Sequence, residues 1–338
     1  MPNTSELLKK SLVSFLVLAF LLVCSNRAEA RAESASSVPG EVSICLGGAP
    51  GIPPLVAQEK GLFAAAGVTV QRKQYRTAAE GFEGFLRGEC DLSAVSETSV
   101  VMKSFEHQDF SILATIATSD NSPRLLASRK SGIATPQDLK GKRIFVLQWS
   151  SNHFFLEMFL AKNALTEKDV TMVFTGVPDI PAAMMDGSID AFCATEVLID
   201  KPLRALGKDA VIFDSPGLCL VSFHLVAKNT LITARPEVIK KILSAMLENE
   251  AFIHENRSVA VKTAAAAMGM EERVMDSLWG NYNWQVGLSQ ATLLSMEQEA
   301  QWAINAGFTS KTRVPNYLKY VHQETLRALR PEAVTILK

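Results

Sequence analysis

Residues 56–70 read VAQEKGLFAAAGVTV. Up to Ala66 the apolar positions keep helical spacing; from Val68 the order Val-Thr-Val alternates with the period of a strand. Between them stands Gly67, the residue type that ends a helix in a left-handed turn. The pattern predicts a helix from about Pro53-Pro54, where proline tolerates the first turn, to about Ala66. Leu55, Leu62 and Phe63 then face the core, and Glu59 and Lys60 lie on the solvated side. A helix that hands over to a strand within two residues is the repeating unit of an α/β protein.

The same alternation extends outward in both directions. Strands are expected at Val42–Leu46, Val68–Lys73, Leu92–Val95 and Ser111–Ala117, with helices at Ala78–Leu86 and Val100–Phe105 between them. After the turn-rich Ser119-Asp120-Asn121-Ser122-Pro123 the rhythm resets. It resumes with a helical turn at Pro136–Leu139, a strand at Arg143–Leu147 and a helix at His153–Lys162. Further strands follow at Val170–Phe174, Ala191–Cys193 and Val211–Phe213. From Pro236 the pattern is helical, and Ile239, Ile242, Leu243 and Met246 form a buried stripe. Two blocks of this kind imply two α/β lobes, each a mostly parallel sheet flanked by helices, with a helical C-terminal tail. The apolar segment Leu218–Ala227 can return the chain to the first lobe. Lobe 1 is therefore expected over 31–127 plus 219–338, with lobe 2 inserted at 128–218.

The first 30 residues read as a separate element. Lys9-Lys10, a thirteen-residue apolar run at 11–23 and Ala28-Glu29-Ala30 form the charged start, short core and cleavage pattern of a secretory signal peptide. The run is shorter than the roughly 20 residues that span a bilayer. Cys24 offers a lipoprotein alternative, which Val23 disfavours because a small residue belongs there. Export to a bacterial periplasm follows. A net charge of −1 over 338 residues, without a long Lys/Arg cluster, gives no general attraction to nucleic acid. Cys45, Cys90, Cys193 and Cys219 remain in the exported chain, none in a C-x-x-C pair. Their apolar settings suit buried free thiols, with one disulfide as the alternative in an oxidising compartment.

Several phrases together carry a resemblance. Gly51-Ile52-Pro53-Pro54, Val56–Phe63 and Gly67-Val68-Thr69-Val70 resemble the opening of periplasmic solute-binding proteins of ABC importers. The branch is the one with nitrate-, taurine-, alkanesulfonate- and thiamine-pyrimidine-binding members. Gly88-Glu89-Cys90-Asp91-Leu92, Gly132–Lys142 and Asp186–Phe192 follow in the family's order. The resemblance implies a type II periplasmic-binding fold, two lobes joined by a two-strand hinge that close over a small molecule. It implies an ABC permease as partner, a monomer, and neither cofactor nor catalysis.

Ligands of open α/β sheets bind beyond the carboxyl ends of the strands, where helix N-termini point free N–H groups. Candidate ligand residues are therefore those that follow each strand, together with Ile52. Trp149-Ser150-Ser151-Asn152-His153 opens a helix; its hydroxyls and amides suit a sulfonate, nitrate or carboxylate, or simply cap the helix. The resembled family has Gly-Ser-x-x-His there, and Trp149 in place of glycine would set a flat ring near the ligand. Arg76 could pair with an anion or be solvated; Thr77 is an N-cap either way. Ser96-Glu97-Thr98 and Glu196 follow two more strands. Two carboxylates in one cleft would disfavour nitrate and suit a zwitterion such as taurine or an amino-bearing heterocycle; either could instead pair with a cation elsewhere. The histidines have no metal-binding spacing, and no nucleotide or hydrolase motif is present. The expected function is capture of a small polar solute for import. A periplasmic-binding-fold enzyme related to thiamine-pyrimidine synthesis and a ligand-sensing partner of a membrane receptor are the alternatives.

Overall fold

The computed structural model describes residues 40–175 and 179–337, and within them the side chains of all but Glu196 and Val197. The expected leader at 1–30, with Cys24, and the lead-in to residue 39 lie outside this range. Among the described residues ten strands are formed: β1 Glu41–Leu46, β2 Thr69–Gln74, β3 Leu92–Ser96, β4 Phe110–Ser119, β5 Arg124–Ser128, β6 Arg143–Val146, β7 Thr171–Val173, β8 Ala191–Ala194, β9 Ala210–Phe213 and β10 Val221–Lys228. They make two five-stranded sheets, in the orders β2-β1-β3-β10-β4 and β7-β6-β8-β5-β9.

Both sheets are mixed, and the path of the chain explains why. β1 and β3 are parallel, as are β6, β7 and β8. β4 leaves the first sheet at its carboxyl end, and residues 120–123 carry the chain to β5 in the second. Residues 214–220 bring it back from β9 to β10 beside that same end. β10 must therefore run antiparallel to β3 and β4, with Leu225 opposite Ala94 and Ala114. By the same constraint β5 runs antiparallel to β8 and β9. The two crossings are hydrogen-bonded to each other through Gly217 N–H and Asp120 O at 2.8 Å. As a result the carboxyl ends of β1 and β3 face those of β6 and β8.

Along the second sheet, successive side chains are buried on alternate faces. Leu125, Ile144, Val146 and Cys193 pack into one core; Leu126, Phe145, Phe192 and Ala194 pack into another on the opposite face. A strand buried on both faces reads as a continuous apolar run, without alternation. β5, Arg-Leu-Leu-Ala-Ser, is such a strand, paired on both sides and without a period-two pattern to mark it. The first sheet shares its core with the C-terminal helices, whose Ile239, Ile242, Leu243 and Met246 are all buried.

Three expectations need correction. The first helix is interrupted at Gly61, which takes a left-handed φ of 70° and divides Ile52–Glu59 from Leu62–Ala65. The helix expected from Val100 begins at Glu97 and runs to Ser104, because Glu97, Thr98 and Ser99 are buried polar residues that hide its start. Cys45 and Cys90 are joined in a disulfide. They lie at the ends of neighbouring parallel segments, with Cα atoms 5.8 Å apart, a distance suited to a bridge. Cys193 and Cys219 are free. Among the described residues no helix is long and apolar enough to cross a membrane, and no His/Cys/Asp/Glu group could hold a metal ion.

Candidate functional site

A cleft of about 410 Å³ opens where the carboxyl ends of the two sheets meet, a volume in the usual range for small-molecule sites. One wall comes from the segments after β1, β2 and β3: Gly48–Pro50, Tyr75–Ala79, Ser96 and Ser99, with Phe223 of β10. The other comes from the segments after β6 and β8: Leu147, Ser150–Asn152, Thr195 and Leu198. Met268 and Met270, at the end of helix Arg257–Met268, complete it. The wall after β1 fits closely against the segment after β2. At Gly47 a Cβ would overlap the Thr77 carbonyl, so only glycine lets these two loops touch. A larger, shallower hollow of about 470 Å³ lies beside Ser104, at the carboxyl end of helix Glu97–Ser104, where backbone carbonyls and not N–H groups are presented.

Four helix N-termini converge on the cleft. Thr77 caps helix Ala78–Leu86, its side chain accepting the Glu80 N–H. The other three behave differently. Helices Glu97–Ser104, Ser151–Lys162 and Glu196–Leu206, of 8, 12 and 11 residues, start after Ser96, Ser150 and Thr195, and in none does the N-cap side chain bond the first-turn N–H groups. Ser and Thr are preferred capping residues, so their failure to cap is informative. Ser96 Oγ turns to Ser99 Oγ at 3.0 Å, and Ser150 Oγ–H donates to the Leu147 carbonyl at 2.6 Å. The N–H groups that begin these three helices, with their partial positive charge, are not taken up by the N-cap side chains.

Of the residues singled out in the sequence, Arg76, Thr77, Ser96, Ser150, Ser151 and Asn152 are brought together in the cleft wall. Arg76 stands at the mouth, its side chain 85% exposed, and donates to Glu80 at 2.7 Å. Five others lie outside the wall. Ile52 is buried in the first core, and Thr98 is buried behind the cleft. Glu97 also turns away: it accepts from the Ser222 hydroxyl, and burial raises its carboxyl pKa to about 7. The premise of two carboxylates aimed at a ligand thus fails at Glu97. Glu196 opens its helix, but its side chain lies outside the described residues.

His153 and Trp149 form a second layer. His153 is 1% exposed, and burial lowers its pKa to about 4, so the ring is neutral. Its Nδ1 accepts the Trp149 N–H at 3.4 Å, and its Nε2 lies 3.3 Å from Glu157 Oε1. Glu157 Oε2 in turn accepts from Trp302 Nε1 at 2.7 Å. Trp149 has a left-handed φ of 57°, and its ring is half-exposed.

The sequence did not single out Tyr75, Ser99, Thr195, Leu198, Phe223, Met268 or Met270. Ser99 and Thr195 carry the same signal as Ser96, a hydroxyl at a strand-to-helix junction. The methionines carry none, since they lie far along the chain in a helix that reads as packing.

Beside the methionines, four charges tie the two sides of the cleft together. Arg204 of helix Glu196–Leu206 meets Asp200 at 2.7 Å and Glu271 at 3.1 Å. Arg273, in helix Glu272–Trp279, lies 3.4 Å from Asp200 and 3.0 Å from Glu271.

Comparison with known proteins places this arrangement. The chain is 25% identical over 234 residues to the "Putative aliphatic sulfonates-binding protein" of Bacillus subtilis (strain 168), covering 68% of this chain and 70% of that one. Its fold matches the alkanesulfonate-binding protein SsuA from Xanthomonas axonopodis pv. citri bound to MOPS, with 19% identity, a TM-score of 0.70, and coverage of 88% and 99% of the two chains. It also matches the desulfurization enzyme DSZB, with 12% identity, a TM-score of 0.63, and coverage of 86% and 99%, so fold alone does not separate binding from catalysis. The model of the family described as NMT1/THI5 like matches residues 51–260, reaching into both sheets. The chain belongs to the NMT1/THI5-like family.

Proposed function

We propose that the chain is the solute-binding component of an ABC importer. It captures a small organic anion of the sulfonate class in the periplasm and, as a monomer, presents it to a membrane permease. The two halves follow the two sheets; because β5 pairs with β8 and β9, the boundary expected at 128 falls before Arg124. The observation that carries this reading is the convergence of three helix N-termini whose Ser, Ser and Thr residues do not cap them. A sulfonate has three oxygens and one negative charge, and N–H groups at helix ends satisfy such a group without a partner cation. Arg76 adds a charge at the mouth, shared with Glu80. Among the described side chains of the wall there is no carboxylate.

Ser150, Ser151 and Asn152 then hold the head group from one side, with Ser96, Thr77 and Arg76 on the other. Because the solute touches both halves, it stabilises the closed arrangement and shifts the population toward it. The sulfonate-binding relative supports the same class of solute.

The test is Ser151→Pro. Ser150 is extended, with φ −118° and ψ 167°, which suits the residue before proline, and position 151 is the first of the helix, where proline is tolerated. The substitution removes one N–H and leaves the helix in place. Titration of alkanesulfonates by calorimetry should show a loss of about tenfold or more, as for a hydrogen bond to a charged group. Unaltered affinity with an unaltered melting temperature would rule out the head-group site at this helix.

A further inference from the structure

We propose that Trp149 selects solutes with a flat, unsaturated body; this rests on the reading of the cleft as a sulfonate-class binding site. Trp149 holds φ at 57°, a left-handed conformation that costs a residue with a Cβ about 1–2 kcal/mol and that glycine adopts freely. Its ring is 50% exposed, so internal packing does little to offset that strain. Strain that persists at a half-exposed aromatic residue points to use of the ring.

The strained backbone is fastened from behind. The Trp149 N–H donates to His153, His153 is packed edge-on against Phe174 and Trp302, and Trp302 is tied through Glu157 to the same helix. Leu147 and Ser150, on either side of Trp149 in the chain, belong to the cleft wall, so the Trp149 backbone lies beside the cleft while the indole itself is not part of the wall. Met268, Met270 and Leu198 supply apolar surface within the same cleft. An anion with its head on the N–H groups at Ser150–Asn152 leaves its body among these residues. Closure of the halves brings the indole face onto that body. Offset stacking of two rings and contact of methionine sulfur with a ring edge both reward a flat, unsaturated ligand over a puckered one of equal size.

The experiment compares benzenesulfonate with cyclohexanesulfonate on the full chain by calorimetry, with benzoate and cyclohexanecarboxylate as the matching carboxylate pair. These share head group and carbon count and differ in flatness. We expect the flat member to bind about tenfold tighter. In Trp149→Gly the ratio should fall to within about twofold while the melting temperature does not drop, because glycine releases the strain. Trp149→Phe keeps a ring in place and should retain part of the preference. A wild-type ratio near one, a ratio that survives in Trp149→Gly, or a marked fall in that variant's melting temperature overturns the assignment while leaving the cleft as a binding site. If no sulfonate or carboxylate binds the wild-type chain, the underlying reading fails and the inference falls with it.

Discussion

Glu97 shows how far a residue's role depends on its surroundings. In sequence it follows a strand and precedes a helix, the position of a ligand contact. In the fold it is 1% exposed and belongs to a buried chain. His224 Nε2 lies 3.0 Å from Ser222 Oγ, Ser222 donates to Glu97, and Thr115 meets the other side of His224 at 3.2 Å. Burial raises the Glu97 pKa to about 7 from an ordinary 4.5 and lowers that of His224 to about 3 from 6.5. The two have opposite consequences for stability. Glu97 keeps its proton longer in the folded state, so its contribution is full below about 4.5 and is lost as pH rises toward 7. His224 resists protonation when folded, so its contribution is present above 6.5 and is lost as pH falls toward 3. Glu97→Gln removes the first effect and leaves that of His224 in place. Its melting temperature should therefore fall less than the wild type's between about pH 5 and about pH 8, and both proteins should weaken in acid. Equal slopes on the alkaline side would mean that Glu97 ionises without penalty.

At the scale of elements, the cleft depends on how helix ends are placed and held. The four-charge cluster of Asp200, Arg204, Glu271 and Arg273 joins helix Glu196–Leu206, whose start lines the cleft, to helix Glu272–Trp279, which packs on the first core. Single exposed ion pairs contribute about 0–1 kcal/mol each and are screened by salt. Arg273→Ala breaks two of the four contacts, and solute affinity should drop by about two- to fivefold at low salt. The difference from wild type should shrink as salt is raised to about 0.5 M. A variant whose affinity and salt dependence match the wild type would show that the cluster does not hold the walls together. Helix identity was legible in the sequence because its 3.6-residue period is local. The start of helix Glu97–Ser104 was not, because polar residues occupy its buried first turn.

Across the whole molecule, the Cys45–Cys90 bridge closes a loop with a sequence separation of 45, which contains the first helices and part of one wall of the cleft. Loop-closure entropy for that length corresponds to about 4 kcal/mol. Replacing both cysteines by alanine should lower unfolding stability by roughly 2–4 kcal/mol, read from the denaturant midpoint, with the buried thiol Cys193 unaffected. A midpoint that does not move would show that the bridge is not formed in solution. Cysteine spacing could not reveal this partner choice, since four cysteines permit several pairings and the sequence equally suits free thiols. Only the pairing of β1 with β3 brings the segment that holds residue 90 next to β1, with its Cα 5.8 Å from that of Cys45.

By itself the sequence determined the alternation of strands and helices, the return of the chain near Leu218–Ala227, and the hydroxyl-rich junctions at Thr77, Ser96 and Ser150–Ser151. These are local properties, written in periods of two and 3.6 residues and in the chemistry of turns. The stretch VAQEKGLFAAAGVTV reads as helix, turn and strand from its own spacing, though the break at Gly61 does not. The tertiary structure alone decided which junction residues face the cleft and which face the core. It turned Glu97 inward, left three helix ends uncapped toward one space, and brought Met268 and Met270 to a wall built by residues 48–223. A side chain's direction at the end of a strand is set by which face of the sheet is covered, and that depends on elements distant in the chain.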